Sequence, residues 1–232
     1  MAEIEIYSAA LCPFAHRSRL TLLEKGIPFK LIEIDLQNKP KNFKEISPYG
    51  KVPVLKRGDQ RVWESTIINE YLDETFPDPP LLPKKTIHRA QARLWINFAD
   101  TRLFAASGKL LYSSEPQNYA AVAKELTEHL QFIEQEGLQK MSADGPYWFG
   151  KEISLVDLTY YPFFEQWAVL EHFRGVQFPT GLDRLKQWWD AMTNRESVRA
   201  IAHLSGFYLE RYGQLEKIRL EQTRKAQTAN LR

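Results

Sequence analysis

Four prolines fall between residues 77 and 83, in the run PDPPLLPKK. Proline fixes φ, offers no backbone N–H and drives the residue before it out of the helical region. Neither a helix nor an inner strand is expected to pass through such a stretch. The chain must break there, and its 232 residues are enough for a domain on each side. The hydrophobic pattern changes across the break: upstream it switches between strand and helix periods, and downstream only the helical period recurs.

Upstream, Ile4–Tyr7 alternates apolar and polar residues and predicts a strand. Pro13–Lys25 then reads as a helix, with proline in its first turn and Gly26 after its last residue. Phe29, Leu31 and Ile34 return to an extended pattern, giving strand, helix, strand. A helical turn is expected near Lys41–Ile46. VPVLKRGDQRVW predicts two strands joined at Arg57–Gln60, where Gly-Asp supplies the turn chemistry. ESTIINEYLDETF follows as a helix, with Ile67, Ile68, Tyr71 and Leu72 at helical spacing and Ser65 able to cap its start.

Downstream, Ile87, Ala90, Leu94 and Phe98 form one stripe and Tyr119, Val122, Leu126, Leu130 and Ile133 another. Further helices are expected at Ser154–Glu171, Leu182–Met192 and Ser197–Leu204, with a polar tail from Leu215 that is an exposed helix or frayed. Composition excludes several function classes. A net charge of +2, without a basic stripe interleaved with aromatics, gives no reason to expect nucleic acid. MAEIEIYSAA lacks the pattern of a secretory signal and no 18-residue apolar run exists, so a cytoplasmic protein without a membrane partner is expected. One cysteine and five scattered histidines predict neither a disulfide nor a metal site.

That cysteine lies in SAALCPFAHRSRL, after a strand and immediately before Pro13. A lone cysteine is often simply a buried small side chain. At a helix start, however, unpaired N–H groups and the helix dipole favour a thiolate, and Arg17 and Arg19 add positive charge. A thiol partly ionised at neutral pH is the expectation. A dithiol site would need a second cysteine three residues on, where Ala15 stands, so an outside thiol would have to resolve any mixed disulfide. Glu64 and Ser65, at the start of a helix, suit a ligand ammonium and carboxylate, and also suit plain capping. Val52 precedes Pro53; a cis bond there would turn the Val52 backbone outward to pair with an extended peptide. Lys39 and Lys51 are loop lysines able to pair with a carboxylate or to remain ordinary surface charges.

Four segments in order, CPFAHR, NKP, PYGKVPVL and ESTIINEYLDE, resemble the glutathione transferases, most closely the cysteine-type omega and lambda classes. The resemblance implies an α/β thioredoxin-like N-terminal domain over residues 1–77, a linker over 78–87 and an all-α domain over 88–232. It implies that Cys12 forms a mixed disulfide with glutathione, that Phe14 borders the thiol and that Lys39 approaches the glycine end. Val52 would pair with the cysteinyl backbone beside cis Pro53, Lys51 would add charge, and Glu64 and Ser65 would hold the γ-glutamyl group. SLVD at Ser154–Asp157 resembles the family's helix capping box, a stabilising feature. His16 departs from the acidic or amide residue expected there and leaves the class open.

The implied activity is thiol transfer from glutathione mixed disulfides, or dehydroascorbate reduction in which the thiolate adds to a carbonyl carbon before glutathione displaces it. The second substrate is a small electrophilic, disulfide or oxidised molecule, and Tyr112, Trp167 and Phe207 are candidates to line its pocket. Conjugation to electrophiles, through Tyr7, Ser8 or Ser18, and a non-catalytic scaffold are the rivals. Relatives commonly pair about a two-fold axis, so a homodimer is expected.

Overall fold

In the computed structural model, which describes residues 3–113, 115–142 and 144–229 with side chains through Glu221, the first strand already fixes the plan. Strand β1 (Ile4–Ser8) pairs in parallel with β2 (Lys30–Glu33), and the connection between them is helix α1 (Pro13–Glu24). Parallel neighbours need such a crossover. After the helical turn α2 (Phe43–Ile46), β3 (Val54–Arg57) and β4 (Gln60–Trp63) form the hairpin, with Gly58 at φ 60° in its turn, and β3 runs antiparallel to β1. The sheet order is β2-β1-β3-β4. Helix α3 (Ser65–Thr75) packs with α1 against it over Ile6, Leu22, Leu55, Ile68 and Leu72.

The proline run contains no regular structure, and it is anchored. The buried Lys25 Nζ donates to the Pro79 carbonyl and pairs with Asp73, while Asp73 also accepts from the Leu81 N–H at 2.8 Å. Beyond it come α4 (Thr86–Phe98), α5 (Phe104–Tyr112), α6 (Tyr119–Phe132), the short α7 (Gln139–Met141), α8 (Leu155–Glu165), α9 (Trp167–Arg174), α10 (Asp183–Thr193), α11 (Glu196–Ile201) and α12 (Ser205–Ala229). A widened π turn, Ala99–Leu103, joins α4 to α5. The fold is that of a small mixed sheet domain followed by a helical domain, as the period change predicts.

Three differences have physical reasons. The expected Ser154–Glu171 helix is two helices meeting at Gln166, and it starts on the reciprocal cap: Ser154 N–H reaches Asp157 at 2.8 Å. On α4 the buried face is Ala92, Trp95 and Ile96, because Trp95 packs against Trp148, Phe98 and Phe132; Ile87 and Leu94 of the predicted stripe are exposed. Polar residues on α1 join Leu20 in linking the domains. His16, Arg17 and Ser18 are fully buried: Arg17 reaches Asp100 and His16 lies 3.4 Å from Glu165 of α8, whereas Ser18 donates to Asn69 of α3 at 2.8 Å within the sheet domain, and Leu20 packs in the core of the helical domain.

Candidate functional site

The loop between β1 and α1 is closed by the Cys12 N–H on the Ala9 carbonyl at 2.9 Å, and by Glu33 accepting from Ala10 N–H. This leaves Cys12 at the N-cap of α1 with extended backbone and Pro13 as the first helical residue. The thiol is half-buried and directed at the Val52 carbonyl, 3.7 Å away. Val52–Pro53 is cis, and the chain then enters β3.

Glu64 occupies the cap position of α3 with φ 66°, a left-handed conformation that is strained for a residue with a Cβ. Ser65 is therefore the first helical residue and not the cap, a correction to the sequence expectation. Its hydroxyl accepts from Arg17 Nη1 at 3.4 Å, while the same nitrogen donates to Asp100 at 2.7 Å. The Arg17 guanidinium packs beside the touching Phe14 and Phe104 rings, at 5.0 and 4.8 Å from their centroids, and its Nε and Nη2 are buried without partners.

Two cavities flank Phe14. One, of about 140 Å³, is lined by Phe14, Lys51, Val52, Pro53, Glu64 and Ser65 together with Ser47, Tyr49 and Trp63. Six of the sequence-predicted residues thus meet there. Lys39 does not line it; its Nζ is bound to the Gly50 carbonyl at 2.8 Å, beside Lys51. The donor set can take a zwitterionic amino-acid group: a helix start and the Ser65 hydroxyl, with a cation behind them, suit a carboxylate, and Glu64 suits an ammonium. The other cavity, about 120 Å³, runs from Pro13 and Phe14 to Tyr112, Gln166 and Tyr212.

Tyr112 lines this second cavity as expected, but Trp167 and Phe207 do not. Trp167 is core, against Phe163 and Phe178, and Phe207 is stacked on His203. Tyr212 and Gln166 each meet the site from a distant segment, so no local sequence signal marks them. The thiol itself departs from expectation. Burial pushes Cys12 up from the ordinary cysteine range, more than the Ala15 and Phe14 backbone N–H groups and Arg17 and Arg19 pull it down. His16 does not help: burial holds it well below the usual histidine value, hence neutral, with Nδ1 3.4 Å from Glu165. Two of the rival nucleophiles are bonded elsewhere: Tyr7 donates to Glu5 and Ser18 donates to Asn69. The third, Ser8, is fully buried, and its hydroxyl has no hydrogen-bond partner among the described residues.

The family descriptions "Glutathione S-transferase, N-terminal domain" and "Glutathione S-transferase, C-terminal domain" match residues 6–80 and 116–191. The chain belongs to the glutathione transferase family. It is 33% identical over 188 residues to a probable glutathione S-transferase, DHAR1, cytosolic, of Oryza sativa subsp. japonica, covering 80% of this chain and 81% of that one. To glutathione S-transferase omega-1 of Sus scrofa it is 30% identical over 199 residues, covering 85% and 80%. Among solved structures it is similar to the Tau class glutathione S-transferase from mango, Mangifera indica, with a TM-score of 0.83, 26% identity and 92% and 98% coverage. Glutathione is the co-substrate of this family. Among the described residues of this transferase, no group of three or more His, Cys, Asp or Glu is placed to hold a metal, and no helix is long and apolar enough to cross a membrane.

Proposed function

We propose that this glutathione transferase is an omega-like thiol transferase and dehydroascorbate reductase working through a Cys12–glutathione mixed disulfide. The observation that carries this is the thiol's place: Cys12 points at the Val52 carbonyl, which borders the cavity where Glu64 and Ser65 meet. In the cycle, the Cys12 thiolate attacks the glutathionyl sulfur of a mixed disulfide, forming Cys12–S–S–glutathione and releasing the other thiol. A second glutathione attacks that bond, giving oxidised glutathione and free Cys12. With dehydroascorbate, the thiolate adds to a carbonyl carbon. Glutathione then attacks the Cys12 sulfur, releasing ascorbate and leaving the same mixed disulfide. The likeness to the rice and pig proteins supports this reading.

In this proposal Phe14, Lys51, Val52, Pro53, Glu64 and Ser65 hold glutathione and Lys39 approaches its glycine end, within a binding domain over 1–77, a linker over 78–87 and a helical domain over 88–232. A cytoplasmic homodimer completes it. Support for pairing comes from exposed Ile67 on α3 and exposed Ile87 and Leu94 on α4, two helices joined by the Arg93–Glu70 pair at 2.7 Å. The raised Cys12 thiol and the Tau class neighbour favour a second reading, glutathione conjugation to electrophiles.

Intact mass after incubation with oxidised glutathione separates these readings when combined with turnover on β-hydroxyethyl disulfide and on an aryl halide. One glutathione adduct, absent from C12A, with thiol transfer lost in C12S, is expected. Aryl-halide turnover surviving in C12A, with negligible thiol transfer in the wild type, would sink the proposal.

A further inference from the structure

The cavity beside Phe14 has a polar wall whose protons are all directed one way. The Leu11 carbonyl can only accept, so it fixes the Gln166 amide with Nε2 donating to it at 3.2 Å. Gln166 Oε1 is then an acceptor and takes the Tyr212 proton at 3.0 Å. The Tyr212 oxygen in turn takes the Tyr112 proton at 3.2 Å. Ser107, the remaining hydroxyl on the lining, donates to the Phe104 carbonyl at 3.0 Å. Every hydroxyl proton on this wall is therefore committed, and what the cavity meets is oxygen lone pairs. The second amide hydrogen of Gln166 is the side-chain donor left over, on a residue 8% exposed.

The rest of the lining is uncharged and without a polar side chain, Phe14, Phe104, Leu111, Phe163 and Leu170 among it. No charged residue is among the described residues that line it. Tyr112 is 60% exposed and Tyr212 is 7% exposed, so Tyr112 stands at the rim while its partner is held inside. An anion here would meet lone pairs and no cation; a ligand carbonyl would compete for a proton already given to Tyr212.

We infer that this cavity selects uncharged molecules carrying a hydroxyl or N–H donor, accepted by the Tyr112 oxygen, with Tyr212 and Gln166 as positioning residues that fix its polarity. The inference rests on reading the cavity as the second-substrate pocket beside Cys12, and it names the ligand class of that pocket. Gln166 ties the selection to the active-site loop, because its anchor, Leu11, immediately precedes the thiol residue.

Isothermal titration calorimetry with 2-naphthol, 2-methoxynaphthalene and 2-acetonaphthone at pH 7 tests it. Wild type is expected to bind 2-naphthol about three- to tenfold more tightly than the methyl ether, the worth of one net hydrogen bond. Y112F should lose that preference. Y212F should free the Tyr112 proton, so that 2-acetonaphthone gains about the same factor over its wild-type affinity while the 2-naphthol preference narrows. Equal binding of 2-naphthol and its ether by wild type, an unchanged preference in Y112F, no gain of 2-acetonaphthone in Y212F, or no binding of any of the three overturns the inference. Glutathionylation of wild-type Cys12, followed by mass, is separate: its failure removes the thiol-transfer reading and leaves the ligand selectivity to stand or fall on the titrations.

Discussion

Arg17 Nη1 donates to Asp100 Oδ1 at 2.7 Å, joining the first helix of the sheet domain to the π turn between two helices of the other domain. The arginine is fully buried and Asp100 is about one-third exposed, at 34%. Removing the carboxylate leaves a buried cation without its counter-charge. D100A is expected to lose about 2–4 kcal/mol, below the full cost of an orphaned buried charge because water reaches part of Asp100. R17M, which removes the charge and keeps the contact with Phe14 and Phe104, should lose less. Urea denaturation of both variants checks the order, and R17M falling below D100A would refute it.

The raised Cys12 thiol sets a pH dependence. Because the folded value lies above the unfolded one, the folded state holds its proton more tightly; this stability is present below the unfolded value and is lost as pH rises through the folded one. Alkylation of the free protein by iodoacetamide should be slow at neutral pH and should keep rising beyond the ordinary cysteine range. A rate that levels off near neutrality would show a thiolate stabilised more strongly than the burial of Cys12 allows.

Much of this site was legible because its signals are local. The strand before Cys12, the proline after it, the Gly-Asp hairpin and the Ser154–Asp157 cap each lie within a few residues, where backbone preferences act directly. Tyr212 was not legible: it reaches Gln166 across 46 residues, and Gln166 reaches Leu11 across 155. On α4 two apolar stripes compete, and only the packing of Trp95 decides which is buried. His16 looked like a modifier of the thiol from its sequence neighbours, yet its side chain faces Glu165 of α8.

Glu165 offers a sharper pH test. Burial pushes its carboxyl up, although the His203 N–H at 3.0 Å and the Tyr208 hydroxyl at 2.7 Å both donate to Oε1 and Arg19 draws it down. The ionised form is thus disfavoured in the fold, and Oε2 has no hydrogen-bond partner. Stability from this group is present below the unfolded value and is lost as pH rises through the folded one. His16 runs the other way: its lowered value contributes stability above the usual histidine range that is lost as pH falls. E165Q is expected to match or exceed the wild-type Tm at pH 7.5, with any advantage shrinking toward pH 4. Thermal unfolding across that range checks it; a large loss of Tm at pH 7.5 would mean that the negative charge itself is needed.

Among the described residues of the helical domain, Asp157 is a carboxylate with four hydrogen-bond donors around it. It accepts from the Trp148 N–H at 2.8 Å, the Ser154 N–H at 2.8 Å, the Ser154 hydroxyl at 2.7 Å and the Trp188 indole at 2.7 Å. Burial raises its pKa against the pull of those donors, so the carboxylate is costly to keep and costlier to delete. D157A strands the donors around α8, the helix that also packs on α1, and should lose about 3–5 kcal/mol. S154A removes one donor to the carboxylate and the acceptor of the Asp157 N–H while leaving the other donors satisfied, with an expected loss of about 1–2 kcal/mol. In the double variant the losses should fall short of their sum, because the hydroxyl and the carboxylate share one bond. Urea midpoints for the four proteins measure this coupling, and strict additivity would show that Ser154 and Asp157 act independently.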